Sequence, residues 1–187
     1  MNTAELIKEL NDVNGSRQKR LKCAQLVLND LTLLPKLIDI IALVDNKISC
    51  RAAWVLEMVC NEYIYAIAPY LDTFCSSLNK VHLNGAVRAV SKICELIAKT
   101  NDSGPSNPLK KALKPLHKEL IIETCFDWMI KDQKVATKVH AMETLYLLGK
   151  GSQWIHKELS IIIVRDFQTQ SAGFKARAKQ VLKKLKK

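Results

Sequence analysis

The chain has 187 residues, with 29 Lys and Arg against 18 Asp and Glu for a formal charge of +11; apolar residues make up 48% and charged residues 25%. That is the balance of a folded globular domain long enough to bury a core. Six glycines and five prolines are too few for a turn-rich all-β protein or a disordered chain, and so little glycine argues against a nucleotide-binding α/β enzyme.

Apolar residues recur at i, i+3, i+4 and i+7 in almost every window, the stripe of a core-facing helix. Sustained period-2 alternation with hairpin dipeptides is missing, so an all-α chain is expected. A first helix over about 3–13 ends at Asn14-Gly15-Ser16, with Ser16 the expected cap of the second. Further breaks fall at Asp45-Asn46-Lys47, Asn61-Glu62 and Asn79-Lys80. The segment 101–108 has two prolines, one glycine and no apolar residue, and reads as the one substantial loop. Ile161-Ile162-Ile163-Val164 is β-branched but lies inside a helical frame, between breaks at Gly149–Ser152 and Gln170–Gly173. Short connections between such helices set neighbours antiparallel. The division expected is a single domain, 1–187. It has a cap over 1–30 and units over about 31–61, 62–99, 108–149 and 152–187.

Five helices share one frame: a basic residue, a small residue, then an aliphatic residue five positions after the basic one. They read Lys22-Cys23…Val27, Arg51-Ala52…Leu56, Arg88-Ala89…Ile93, His140-Ala141…Leu145 and Arg177-Ala178…Leu182. Most spacings between them fit a unit of about 37 residues with one insertion at the polar loop. Ahead of three of these helices stands a proline near the start of an apolar segment, at Pro35, Pro69 and Pro115, where a first-turn N–H has no helical partner to lose.

The stretch from Leu33 to Leu56, with Pro35 in its first helix, Asp45 in the turn and Arg51 opening the second helix, resembles a HEAT repeat. Asp132 and Lys138 repeat the Asp–basic spacing, two residues out of the apolar frame. The resemblance implies an α-α superhelix of about four HEAT-like hairpins plus an N-terminal capping helix pair. It also implies that Asp45 and Arg51 bond between adjacent repeats, and that the second helices line a concave face where partners bind. Stacking would join apolar faces that no single hairpin can cover.

Catalytic signals are missing. The histidines His82, His117, His140 and His156 are scattered, with no HExxH, P-loop, GxGxxG or GxSxG pattern. The six cysteines form no C-x-x-C pair and sit in apolar helical contexts, as expected of small buried hydrophobes in a reducing cytosol. No metal site or cofactor is expected. The N-terminus, Met1-Asn2-Thr3-Ala4-Glu5, has no basic, apolar leader, and the longest apolar run, Ile40 to Val44, is far too short for a membrane span. A cytoplasmic protein is expected. One enzymatic relative of such repeats, the HEAT-like alkylpurine DNA glycosylases, uses aromatics and an aspartate in a basic cleft. Trp128 and Asp132 stand four residues apart, but on a first helix rather than the cleft side, so Trp128 and Trp54 read as packing anchors.

The charge is uneven. Residues 1–100 carry 12 basic and 10 acidic side chains; residues 101–187 carry 17 and 8. The last 13 residues hold seven cations and no acid, with Ala178, Val181, Leu182 and Leu185 on one helical face. The expectation is a non-enzymatic scaffold that presents its second helices to a protein partner. Its candidate contacts are Lys22, Arg88, Lys92 and Glu95, all expected to be exposed, with Lys175, Lys179, Lys183 and Lys184 assisting. The alternative is binding of nucleic acid or another polyanion through the basic C-terminal half.

Overall fold

The computed structural model describes residues 1–186, so Lys187 of the basic tail lies outside the described residues. Those residues form α-helices and 3-10 turns and no strand. An N-terminal pair, α1 (Thr3–Asn11) and α2 (Arg17–Asn29), is followed by a 3-10 turn (Leu31–Leu33), α3 (Leu34–Ile41) and α4 (Lys47–Glu62). A 3-10 stretch (Ile64–Tyr70), α5 (Leu71–Ser77) and a 3-10 turn (Leu78–Lys80) lead into α6 (Asn84–Asp102). Then come α7 (Pro108–Ala112), α8 (Pro115–Ile130), α9 (Val135–Leu148), α10 (Gln153–Asp166) and α11 (Ala172–Leu185). Among the described residues no helix is long and apolar enough to cross a membrane.

Local chemistry sets the boundaries. Asn2 and Glu5 form a reciprocal capping box at α1, which satisfies N–H groups that the first turn leaves free. The side chain of Asn46 accepts the Ile48 N–H at 3.0 Å and starts α4. Pro35 and Pro115 occupy the first turns of α3 and α8. Pro69 instead falls near the end of the 3-10 stretch that precedes α5. The expected first helix stops two residues early, at Asn11, although Val13 is still buried.

The expected loop over 101–108 is shorter. Asn101 and Asp102 complete α6, which ends where Ser103 turns extended, and Pro108 already opens α7. Asn107 ties this excursion down: its amide donates to the carbonyls of Thr100 at 3.2 Å and Pro105 at 3.4 Å, and its oxygen caps Lys110 N–H at 2.9 Å. Helix α7 then packs back on the 3-10 stretch 64–70 and on α6.

The five helices that carry the basic–small frame, α2, α4, α6, α9 and α11, pack in series, each against the next. Helix α3 lies along α4, α8 along α9, and α10 against α9 and α11. The small residues are the seam: Ala52, Ala89, Ala141 and Ala178 have no accessible surface, and Cys23 almost none. The aliphatic positions Val27, Leu56, Ile93 and Leu145 are equally buried, and Leu182 partly so. A side chain no larger than a methyl lets the backbones of adjacent helices approach, and the aliphatic one turn further on fills the space between layers.

The six cysteines are free thiols, and all but Cys50 are buried. Burial pushes Cys23 up to about 11 and Cys75 up to about 12, and lifts Cys60, Cys94 and Cys125 well above the ordinary thiol value. Thiolate is the reactive form, so an aromatic disulfide reagent at pH 8 should label one thiol of the native protein, Cys50, in minutes, and the others only in denaturant. The seam carries its own expectation. Ala141→Leu overfills the α6–α9 contact and should cost about 1–3 kcal/mol in urea unfolding, whereas Ala136→Leu, exposed on the same helix, should be near neutral.

Candidate partner-binding face

The frame's basic residue marks a series of bonds that run from helix to helix. Arg51 on α4 reaches back to the N-terminal pair, where its Nη1 donates to the Asn11 carbonyl at 2.8 Å and to the Asn11 side chain at 3.0 Å. Arg88 on α6 reaches back to Glu57 on α4, Nη2 to Oε2 at 2.5 Å. His140 on α9 donates from Nδ1 to Glu95 on α6, also at 2.5 Å. Arg177 on α11 donates to Glu143 on α9 at 3.3 Å. The last three links join a basic side chain to a carboxylate on the preceding frame helix, while Arg51 passes over α2 to the end of α1.

The three carboxylates are buried, with side chains only 10%, 4% and 6% exposed for Glu57, Glu95 and Glu143. Further cations close over them. Lys92 Nζ lies 3.1 Å from Glu95 and Lys99 pairs with the same carboxylate. Lys184 Nζ lies 2.9 Å from Glu143 and 4.8 Å above the Tyr146 ring. Tyr146 is in turn stacked on His156, and Lys150 Nζ lies 5.6 Å from the same ring.

Burial acts on these acids in opposite directions. Desolvation dominates at Glu57 and lifts its carboxyl above the ordinary value in spite of Arg88. At Glu95 desolvation is again the largest single effect, but hydrogen bonds from His140 and Lys99, with the charges around them, reverse it and hold the carboxyl well below its usual range.

Several expected contacts therefore change role. Glu95 is buried at the centre of a cluster; the cations that cover it are what solvent meets. Arg88 and Lys92 are half-buried and committed to carboxylates. Lys22 is exposed but stands apart, on a cleft of about 570 Å³ between α1 and α2 with Glu9, Asp12 and Lys19. Lys184 belongs to the Glu143 cluster. Lys175, Lys179 and Lys183 line α11 at i, i+4 and i+8 and form no ion pair among the described residues. Asp45 and Arg51 do not meet: Asp45 lies 3.2 Å from His82 Nε2, toward the following unit, while Arg51 holds the preceding one. Trp128 is 4% exposed and Asp132 sits in the turn after α8, so the Trp128 ring has no face open to a base. Trp54 is an anchor through Nε1 to the Gly85 carbonyl at 3.0 Å.

Sequence reasoning missed Glu57, Glu143 and Lys99. A partial signal was present: Glu95 and Glu143 follow the frame's basic residue by seven and three positions, which keeps each carboxylate on the same side of its helix as that residue; Glu57, six positions after Arg51, lies about a third of a turn away and carried no such signal.

The linkage predicts pH behaviour. Because the folded Glu95 carboxyl is held below its unfolded value of about 4.3, its stabilisation is complete above that pH and is lost as pH falls below it. Glu95→Gln should therefore lower stability at pH 7 by about 1–3 kcal/mol, with the gap to wild type closing as pH drops from about 4.5 toward 3. Glu57 has the opposite sign, since its ionisation works against the folded state, so Glu57→Gln should cost less at pH 7. Denaturant titrations across this range check both.

Compared with known proteins, the chain matches no family model, no curated protein and no solved structure; the reading of this face rests on its own geometry.

Proposed function

We propose that the chain is a non-enzymatic HEAT-like helical-repeat module, an α-α superhelix of about four degenerate hairpins behind an N-terminal helix pair. Its concave face, formed by the second helices, holds a protein partner. The serial packing of α2, α4, α6, α9 and α11 supports the repeat reading. The observation that carries the binding reading is the set of cations held over buried carboxylates. Arg88, Lys92, Lys99, Arg177 and Lys184 keep side-chain exposures between 24% and 47% while each is anchored to Glu57, Glu95 or Glu143. Anchored side chains lose little further freedom when a partner carboxylate or carbonyl arrives, which is where long basic residues otherwise give up affinity. These five cations stand over three carboxylates, an excess of only two. That suits directed bonds to a protein surface better than the release of counterions from six or more phosphates.

A second reading, nucleic-acid binding, draws on a different observation: the line Lys175, Lys179 and Lys183 on α11, without an ion pair among the described residues. The two separate experimentally. Cross-linking in native extract should place a protein partner on the second-helix face, and Lys92→Glu with Lys99→Glu should abolish that cross-link while Lys175→Glu with Lys179→Glu leaves it. An unchanged cross-link in the first variant overturns the protein reading. For the second, a duplex gel shift at 50 mM salt should vanish in the α11 variant and weaken steeply by 200 mM; no shift at low salt ends it.

A further inference from the structure

A second surface lies on α8 and α10. Trp154 is 61% exposed, Ile161 51%, Val164 62% and Ile130 55%. On α10 the spacing 154, 161, 164 puts three of these on one side of the helix, opposite the buried Ile155, Leu159, Ile162 and Ile163. Phe126 joins the two helices: its ring stacks on Trp154 with centroids 5.9 Å apart and planes at 27°. Ile130 follows Phe126 by one turn. Isolated exposed aliphatics need no explanation, but an exposed tryptophan stacked on a phenylalanine and continued by aliphatics is the composition of an interface centre.

Its border is acidic along α8. Glu119, Glu123 and Asp127 are exposed at i, i+4 and i+8 along α8, and Glu158 lies between Trp154 and Ile161 on the outward side of α10. Lys131 bonds Asp127 at 2.6 Å, Lys157 adjoins Glu158, and Arg165 beside Val164 is paired with Asp166 at 2.6 Å. Beside Phe126 a cleft of about 440 Å³ opens between α8 and the α5 region, with Glu123 and Asp127 at its rim and Cys75 and Leu120 in its wall. In a chain of net charge +11, this run of carboxylates beside apolar surface is a local reversal.

We infer that this α8–α10 surface is a docking site for an amphipathic helix of another protein, one with an apolar face and Lys or Arg along its flank. The apolar face would cover Trp154, Ile161 and Val164, and the basic flank would meet Glu123 and Glu158, the helix-in-groove mode of recognition. Charge complementarity selects this occupant. An anionic membrane surface is repelled by the same carboxylates. A second copy of the chain has a basic amphipathic helix in α11, but Phe174, Ala178 and Val181 on its apolar side are already fully buried. The site is independent of the face formed by the second helices.

The probe is a synthetic 18-residue helix of Leu and Lys with all Leu on one face, set against its Leu and Glu counterpart, each titrated into the full chain. The Leu/Lys helix should bind and protect the exposed Trp154 from acrylamide quenching. Its affinity should fall at least tenfold in Trp154→Ala and in Glu123→Lys with Glu158→Lys, and stay unchanged in Lys92→Glu. These positions are exposed, and matching circular dichroism melts will show that the variants fold. Equal quenching protection by both helices would reduce the surface to unselective apolar adsorption and overturn the inference. So would unchanged affinity in Trp154→Ala, or a wild-type dimer in sedimentation that Trp154→Ala dissociates, since the occupant would then be a second copy.

Discussion

Everything else in this molecule depends on a carboxylate being buried where two adjacent helices meet and answered by a base from the next helix. Glu57 with Arg88, Glu95 with His140 and Glu143 with Arg177 repeat one solution along the chain. A buried carboxylate without its partner is costly, so each pair tolerates one relative placement of its two helices. Apolar seams alone accept sliding, because one aliphatic contact resembles the next. The pairs supply the register that Ala52, Ala89 and Ala141 leave open.

In the proposed function, binding and folding share residues. Lys92, Lys99 and Lys184 complete the neutralisation of carboxylates that structure requires, and in doing so they are held at the surface in defined positions. A partner would meet side chains that packing has already ordered. The surface on α8 and α10 is built differently: its Trp154–Phe126 stack has no comparable duty in the core, and its acids sit in solvent.

How far this was legible in the sequence can be argued residue by residue. The helical class, the five frame positions and most breaks follow from periodicity and turn residues, which are local properties. The seam role of the small residues follows as well, since a small residue recurring on an apolar face has few other uses. The fate of Glu95 was not legible. Periodicity gives the side of a helix on which a residue lies, but the identity of the side chain facing it, His140, is 45 positions away. For the same reason Arg88 and Lys92 read as free cations until Glu57 and Glu95 were seen beneath them. The loop was overdrawn at both ends because Asn101, Asp102 and Pro108 favour breaks in general, yet each is acceptable in the last or first turn of a helix. Trp154 was visible as an aromatic, but its exposure depends on the outward side of α10 finding no neighbour.

The excursion through residues 103–107 and α7 has an entropic consequence. Helices α6 and α9 share the most extensive contact in the fold, yet the chain must pass through the excursion and all of α8 before α9 can return to α6. Closing so long a segment costs entropy that grows only logarithmically with its length, and the Asn107 bonds shorten the effective path by folding the excursion back onto α6. Contacts on either side of this closure are between helices nearer in sequence and carry a smaller closure entropy. The α6–α9 joint, which contains the Glu95–His140 bond, therefore carries a larger closure cost than the contacts between helices that follow one another directly.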